Sequence, residues 1–83
     1  MKAKTFEAQY ELVEFNHYMD HNEENSTDVV DFVVESNNID FIEKEFSNLF
    51  VICTEKDSYV FSNYELIECY QVGGGLIRVI CVK

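Results

Sequence analysis

The sequence predicts an α+β fold: a small antiparallel sheet of about five strands, with a single helix packed on one face. Three observations support this prediction. An N-terminal stretch alternates apolar and polar residues, a central stretch has apolar residues at helical spacing, and two strand-like runs near the C-terminus flank three consecutive glycines. With 83 residues the chain has room for one core, so we expect residues 1–83 to form a single acidic domain.

The first predicted strand is the segment Thr5–Leu12, in which apolar and polar residues alternate without a break. The members expected on the buried side are Phe6, Ala8, Tyr10 and Leu12. Beyond this segment the apolar positions change parity, which predicts a bulge or bend within a longer strand. A helix is the alternative, because Glu7, Glu11 and Glu14 also recur at helical spacing. The unbroken alternation favours the strand.

A polar stretch at residues 20–27 separates this strand from the next and predicts the loop of an N-terminal hairpin. Residues 28–35 follow as a β-branched strand, whose buried face we expect to contain Val30, Phe32 and Val34. A helix over residues 38–47 comes next, because N-capping residues precede apolar positions at helical spacing. Those apolar positions are Ile39, Ile42, Phe46 and Leu49.

The rest of the chain predicts three or four antiparallel strands in chain order, as a C-terminal meander. Residues 49–54 and 59–61 read as short strands around a turn, and residues 64–72 and 76–82 read as a hairpin around Gly73–Gly75. If Val72 faces Leu76, the register places Tyr70 opposite Arg78 and Glu65 opposite Lys83, which are favourable pairs across two strands. The last strand has apolar residues on both faces, so we expect it to be central or covered.

Composition restricts the compartment. Hydrophobic residues make up 47% of the chain, too many for a disordered acidic protein, and no apolar run reaches the roughly 18 residues of a membrane span. We find no secretory signal in the sequence. The three cysteines lie far apart in apolar segments, which is typical of reduced thiols in a cytosolic protein. These observations predict a cytoplasmic protein, in the host cytoplasm if the gene belongs to a phage.

The negative charge is concentrated in the first half of the chain. The net charge is −10, and no Lys or Arg interrupts the stretch from Thr5 to Glu43. A surface of one sign opposes folding by self-repulsion, so we expect it to attract a cationic partner. An ordinary solvated face is the alternative interpretation. The predicted partner-binding residues are Glu7, Glu11, Glu14, Tyr18, Asp20, Glu23, Glu24, Asp28, Asp31 and Glu35.

Other chemistries have weaker sequence signals, and we predict no enzyme activity, catalytic residue, cofactor or metal. His17 and His21 are four residues apart, a spacing that presents both rings together only on a helix. The cysteines form no C-x-x-C pair, and no lysine follows the glycines as in a phosphate-binding loop. Direct nucleic-acid binding is disfavoured because phosphates would be repelled.

In size, acidity and lack of motifs the chain resembles small phage-encoded inhibitors of host defence, such as anti-CRISPR and anti-restriction proteins that imitate DNA. The resemblance implies a non-enzymatic inhibitor that blocks a basic nucleic-acid-binding surface of another protein. One alternative is an immunity or antitoxin protein that neutralises a basic nuclease. Another is a structural domain whose last strand pairs with a second copy to form a homodimer.

Overall fold

The computed structural model describes residues 1–21 and 25–83, which form seven antiparallel strands in one sheet and one short helix. The elements in chain order are β1 (Lys2–Lys4), β2 (Gln9–His21), β3 (Ser26–Glu35), α1 (Ile39–Glu45), β4 (Phe50–Cys53), β5 (Ser58–Phe61), β6 (Glu65–Gly73) and β7 (Leu76–Val82). The strand order in space is β5-β4-β1-β2-β3-β7-β6. The α+β prediction with about five strands is therefore wrong, because the fold is mostly sheet.

The sheet differs from the prediction in its connections. A three-residue strand, β1, lies between β2 and β4, and it is too short to show an alternation in the sequence. The C-terminal meander is also wrong, because the β4–β5 hairpin pairs with β1 while the β6–β7 hairpin pairs with β3. The N-terminal hairpin of β2 and β3 is confirmed, and so is the bulge, which lies between Leu12 and Glu14.

The sheet is strongly curled. Its two edge strands, β5 and β6, are joined by only three residues, 62–64. In a flat sheet of seven strands the edges would lie about 29 Å apart. Four peptide units reach at most about 14 Å, so the edges must approach each other. The connection contains Asn63, which makes the turn with a φ of 63°, and the rings of Phe61 and Tyr64 on either side of it have centroids 5.3 Å apart.

The hydrophobic core fills the concave side of the curled sheet. At its centre are the rings of Phe32, Phe46 and Phe50, which are fully buried and have centroids 5.0 to 5.4 Å apart. Helix α1 contributes Ile42 to this core, and its C-cap residue Phe46 contributes its ring. Its N-cap is Asn38, whose side chain accepts a hydrogen bond from the Phe41 amide at 3.1 Å. The helix closes the concave side.

Helix α1 is shorter than predicted, and it ends at Glu45. Leu49, expected on the helix's buried face, lies beyond that end and is 54% exposed. With seven residues, the helix of the described segments is not long enough to cross a membrane.

The convex side of the sheet, which we call the outer face, is left open by the helix. Side chains alternate between the two sides along each strand. In β3, for example, Val30, Phe32 and Val34 belong to the core, whereas Asp31 and Glu35 lie on the outer face. The remaining acidic, basic and tyrosine positions of the outer face are Lys2, Lys4, Glu11, Glu14, Tyr18, Asp20, Glu65, Glu68, Tyr70 and Arg78.

Candidate protein-binding surface

Six of the ten residues predicted to bind a partner share the outer face. They are Glu11, Glu14, Tyr18, Asp20, Asp31 and Glu35. The bulge in β2 produces this arrangement, because without it Glu11 and Glu14 would point to opposite sides of the strand. One extra residue at Val13 restores them to the same side, so the acidic residues of a 13-residue strand face one way.

Strand β6 adds acidic residues that the prediction missed. Glu65, Glu68 and Tyr70 lie on the outer face at the sheet edge. The predicted pairing of Tyr70 with Arg78 is confirmed, and alternation from Tyr70 would have placed Glu68 on this face. Glu65 joins them only because a second bulge lies between Leu66 and Glu68. The outer face then carries seven carboxylates and three bases.

Arg78 neutralises the centre of this face. Its Nη1 donates to both carboxylate oxygens of Asp31, at 2.9 and 3.0 Å, and its Nη2 donates to Glu14 at 3.3 Å. Burial alone would lower the pKa of Arg78, but the two carboxylates outweigh burial and raise it. Asp31 and Glu14 were predicted as free partner-binding charges, but the structure places both in a salt-bridge network within the protein.

Asp28 lies on the concave side, away from the outer face. It accepts a hydrogen bond from the Tyr64 hydroxyl at 2.5 Å and lies 2.6 Å from Nε2 of His17. The Tyr64 hydrogen bond is the main reason that the pKa of Asp28 is lowered, whereas burial raises the pKa of Tyr64 to about 12. The Lys83 ammonium lies 5.3 Å from the centre of the Tyr64 ring. Asp28 is thus part of a structural network.

The remaining predicted residues are not gathered with the others. Glu7 lies in the turn between β1 and β2, and Glu23 and Glu24 fall outside the described residues.

Three of the outer-face residues keep their charge free or nearly so. Within residues 1–21 and 25–83, neither Asp20 nor Glu35 forms an ion pair. Glu11 lies 3.9 Å from the Lys2 ammonium, but both side chains are well exposed, so the pair is weak.

The unpaired charges of the outer face therefore lie around a centre formed by the Arg78 salt-bridge network and buried valines. Glu65 and Glu68 follow the β6 edge, and they too lack an ion pair in the part of the chain that the structure describes. Val29 and Val33 occupy the middle of β3 and are buried among their neighbours. Tyr18 and Tyr70 are 49% and 43% exposed. Such a surface can hold the charged end and the aliphatic stem of an arginine.

The histidines and cysteines do not assemble into a reactive site in the described segments. His21 contacts Ser26 at 2.9 Å, whereas His17 contacts Asp28, so the two rings have different partners. No group of three metal-binding side chains occurs among residues 1–21 and 25–83. Burial raises the pKa of the Cys81 thiol to about 12, with a smaller contribution from Cys69, so it stays protonated.

No protein-family model matches the chain, and no curated protein or solved structure matches it either.

Proposed function

We propose that this protein is a non-enzymatic inhibitor whose outer face binds a basic, nucleic-acid-binding surface of another protein and competes there with phosphates. The observation that carries the proposal is that seven carboxylates lie on one open face of the sheet and that four of them, Asp20, Glu35, Glu65 and Glu68, form no ion pair within the described residues. Two half-exposed tyrosines, Tyr18 and Tyr70, accompany them. Tyrosine is enriched where proteins recognise each other, because it has a large apolar ring and a polar end.

The spacing of the rim carboxylates suits such a partner. Positions on the same side of a strand recur about every 6.6 Å, and neighbouring strands lie about 4.8 Å apart. Arginine and lysine side chains that normally contact successive phosphates could therefore each find a carboxylate on the β2 or β6 side of the face. The salt bridges of Arg78 remove Glu14 and Asp31 from this function and leave Asp20, Glu35, Glu65 and Glu68 as its principal charges.

The partner class follows from the charge. A basic protein groove or a basic nuclease is attracted to this face, whereas a nucleic acid is repelled by it. Electrostatic steering would accelerate the association and make it sensitive to salt. The proposed site of action is the cytoplasm, where the three free cysteines would remain reduced. The proposed function needs no cofactor.

The test is a competition experiment with matched charge variants. The protein is used to capture partners from host lysate at low and high salt, and each captured protein is assayed for nucleic-acid binding with and without the inhibitor. The face variant is Glu65→Lys with Glu68→Lys, and the control is Glu55→Lys with Asp57→Lys in the β4–β5 turn. Both variants change the net charge equally, and circular dichroism checks that each is folded.

We expect the face variant to lose capture and competition, the turn variant to keep both, and high salt to weaken binding by the parent protein. Equal losses in the two variants would show that only total charge matters. Unchanged competition by the face variant would show that the β6 rim is not the contact.

A further inference from the structure

A groove with a volume of about 540 Å³ opens beside the turn that joins β1 to β2. The turn, the end of α1 and the start of β4 form its walls. Phe6 stands at its rim with 99% of its side chain exposed, and Leu49 beside it is 54% exposed. Phe6 and Leu49 therefore both present apolar surface to solvent at this groove.

The groove carries as many bases as acids, whereas the chain as a whole is strongly acidic. Lys4, Lys44 and Glu7 line it, and none of the three forms an ion pair within the described segments. Glu45, the other acidic residue there, is buried and accepts a hydrogen bond from the Thr5 hydroxyl. Two bases therefore balance two acids, in a chain whose net charge is −10.

We propose that this groove is the interface of a symmetric homodimer, in which Phe6 of each copy enters the groove of the other copy beside Leu49 and Val51. A two-fold interface requires a surface that is complementary to itself. A protruding ring next to a groove meets this requirement, and so do unpaired bases next to an unpaired acid. In the dimer, Lys44 of one copy pairs with Glu7 of the other.

The charge distribution favours a second copy at this place over any other. Two copies that met through the acidic outer face of β2 and β6 would repel each other. The final strand is not available either, because β7 is paired with β3 on one side and β6 on the other. Self-pairing of that strand would require one of these two pairings to be lost.

The exposed apolar surface continues beyond the groove onto the edge strand. Val51 in β4 is paired with Val60 in β5, and Val60 is 64% exposed. A standard interface buries about 800 Å² of each partner, which is about 15% of the 5314 Å² that this chain exposes. The proposed dimer shares Lys4 with the outer face but uses none of the unpaired carboxylates there, so different variants test the two proposals.

The test is the molar mass in solution, measured by light scattering and sedimentation over a wide range of protein concentration. We expect a monomer–dimer equilibrium in the parent. Phe6→Ser removes the ring from both halves of the interface and should raise the dissociation constant at least about 100-fold. Ile67→Ser, which removes an apolar side chain on β6 that is 51% exposed, should leave the dissociation constant unchanged.

A charge exchange tests the orientation. Lys44→Glu should weaken the dimer, and adding Glu7→Lys should restore it by reversing the pair. Lys56→Glu, the same charge change in the β4–β5 turn, is the control and should have a smaller effect. A monomer at every concentration would overturn the proposal, as would a dimer that resists Phe6→Ser. Failure of the charge exchange to restore the dimer would overturn the pairing of Lys44 with Glu7.

Discussion

Replacing Arg78 by Met tests the salt-bridge network at the centre of the outer face. The side chains of Arg78 and Asp31 are only 23% and 16% exposed, and two hydrogen bonds join them. Removing one partner of a fully buried ion pair costs about 3–5 kcal/mol, whereas a fully exposed pair contributes at most about 1 kcal/mol. Because this pair is mostly buried, we expect Arg78→Met to lower the free energy of unfolding by about 2–3 kcal/mol.

The assay is urea unfolding followed by circular dichroism, with thermal unfolding as a second measurement. In a domain of this size, such a loss should lower the melting temperature by about 10–20 °C. The double variant Arg78→Met with Asp31→Leu should cost less than Arg78→Met alone, because it leaves no unpaired buried carboxylate. Lys2→Met, which removes the exposed pair with Glu11, is the control and should change stability by under about 0.5 kcal/mol.

Additive costs in the double variant would refute this reasoning. So would an Arg78→Met variant as stable as Lys2→Met, since the network would then contribute no more than an exposed ion pair.

Two further predictions concern the concave side. Tyr64→Phe removes the hydrogen bond that lowers the pKa of Asp28, and should cost about 1.5 kcal/mol at neutral pH. The pKa of Asp28 in the folded protein lies below 3.8. The difference in unfolding free energy between parent and variant should therefore shrink as the pH falls through that pKa, and urea unfolding in neutral and acidic buffers measures it. A difference that does not depend on pH would contradict this. Phe46→Ala removes a fully buried ring that packs against Phe32 and Phe50, and should cost about 3–5 kcal/mol in the same assay. A loss under about 1 kcal/mol would contradict the packing described.

The features that the sequence predicted correctly depend on neighbouring residues. The bulge after Leu12 appears as a change of parity, the N-terminal hairpin as two alternating runs, and the helix start as the Asn38 cap. The central register of the β6–β7 hairpin follows from the pairing of Tyr70 with Arg78. Bulges at both ends of β6 shift the outer pairs, so Gly73 rather than Val72 faces Leu76.

Features that depend on distant parts of the chain were not predictable in this way. Strand β1 is recognised as a strand only through its partners β2 and β4, and the sheet order depends on pairings across the whole chain. The position of Phe6 was also wrong. The Thr5 amide donates to the Ala8 carbonyl at 2.8 Å, and this tight turn directs Phe6 outward although the alternation predicts it buried.

The same limit applies to the candidate surface. The sequence identified the acidic half of the chain and six residues that share the outer face. It could not show that Arg78 lies against Asp31 and Glu14, because that contact needs β7, β3 and β2 to be adjacent. Likewise, the hydrogen bond between Asp28 and Tyr64 joins residues that are 36 positions apart, so the sequence alone does not reveal that Asp28 belongs to a structural network.

The strand order has a consequence for how the chain acquires its structure. Strand β1 pairs with residues 51–53 of β4, and β3 pairs with residues 76–82 of β7, so both strands need partners that are synthesised much later. During synthesis on the ribosome, β1 and β3 can each pair with β2 early, but each lacks its second neighbour until β4 or β7 has emerged. Such reliance on remote pairings is associated with slow folding, so we expect this protein to fold more slowly than a helical bundle of the same length.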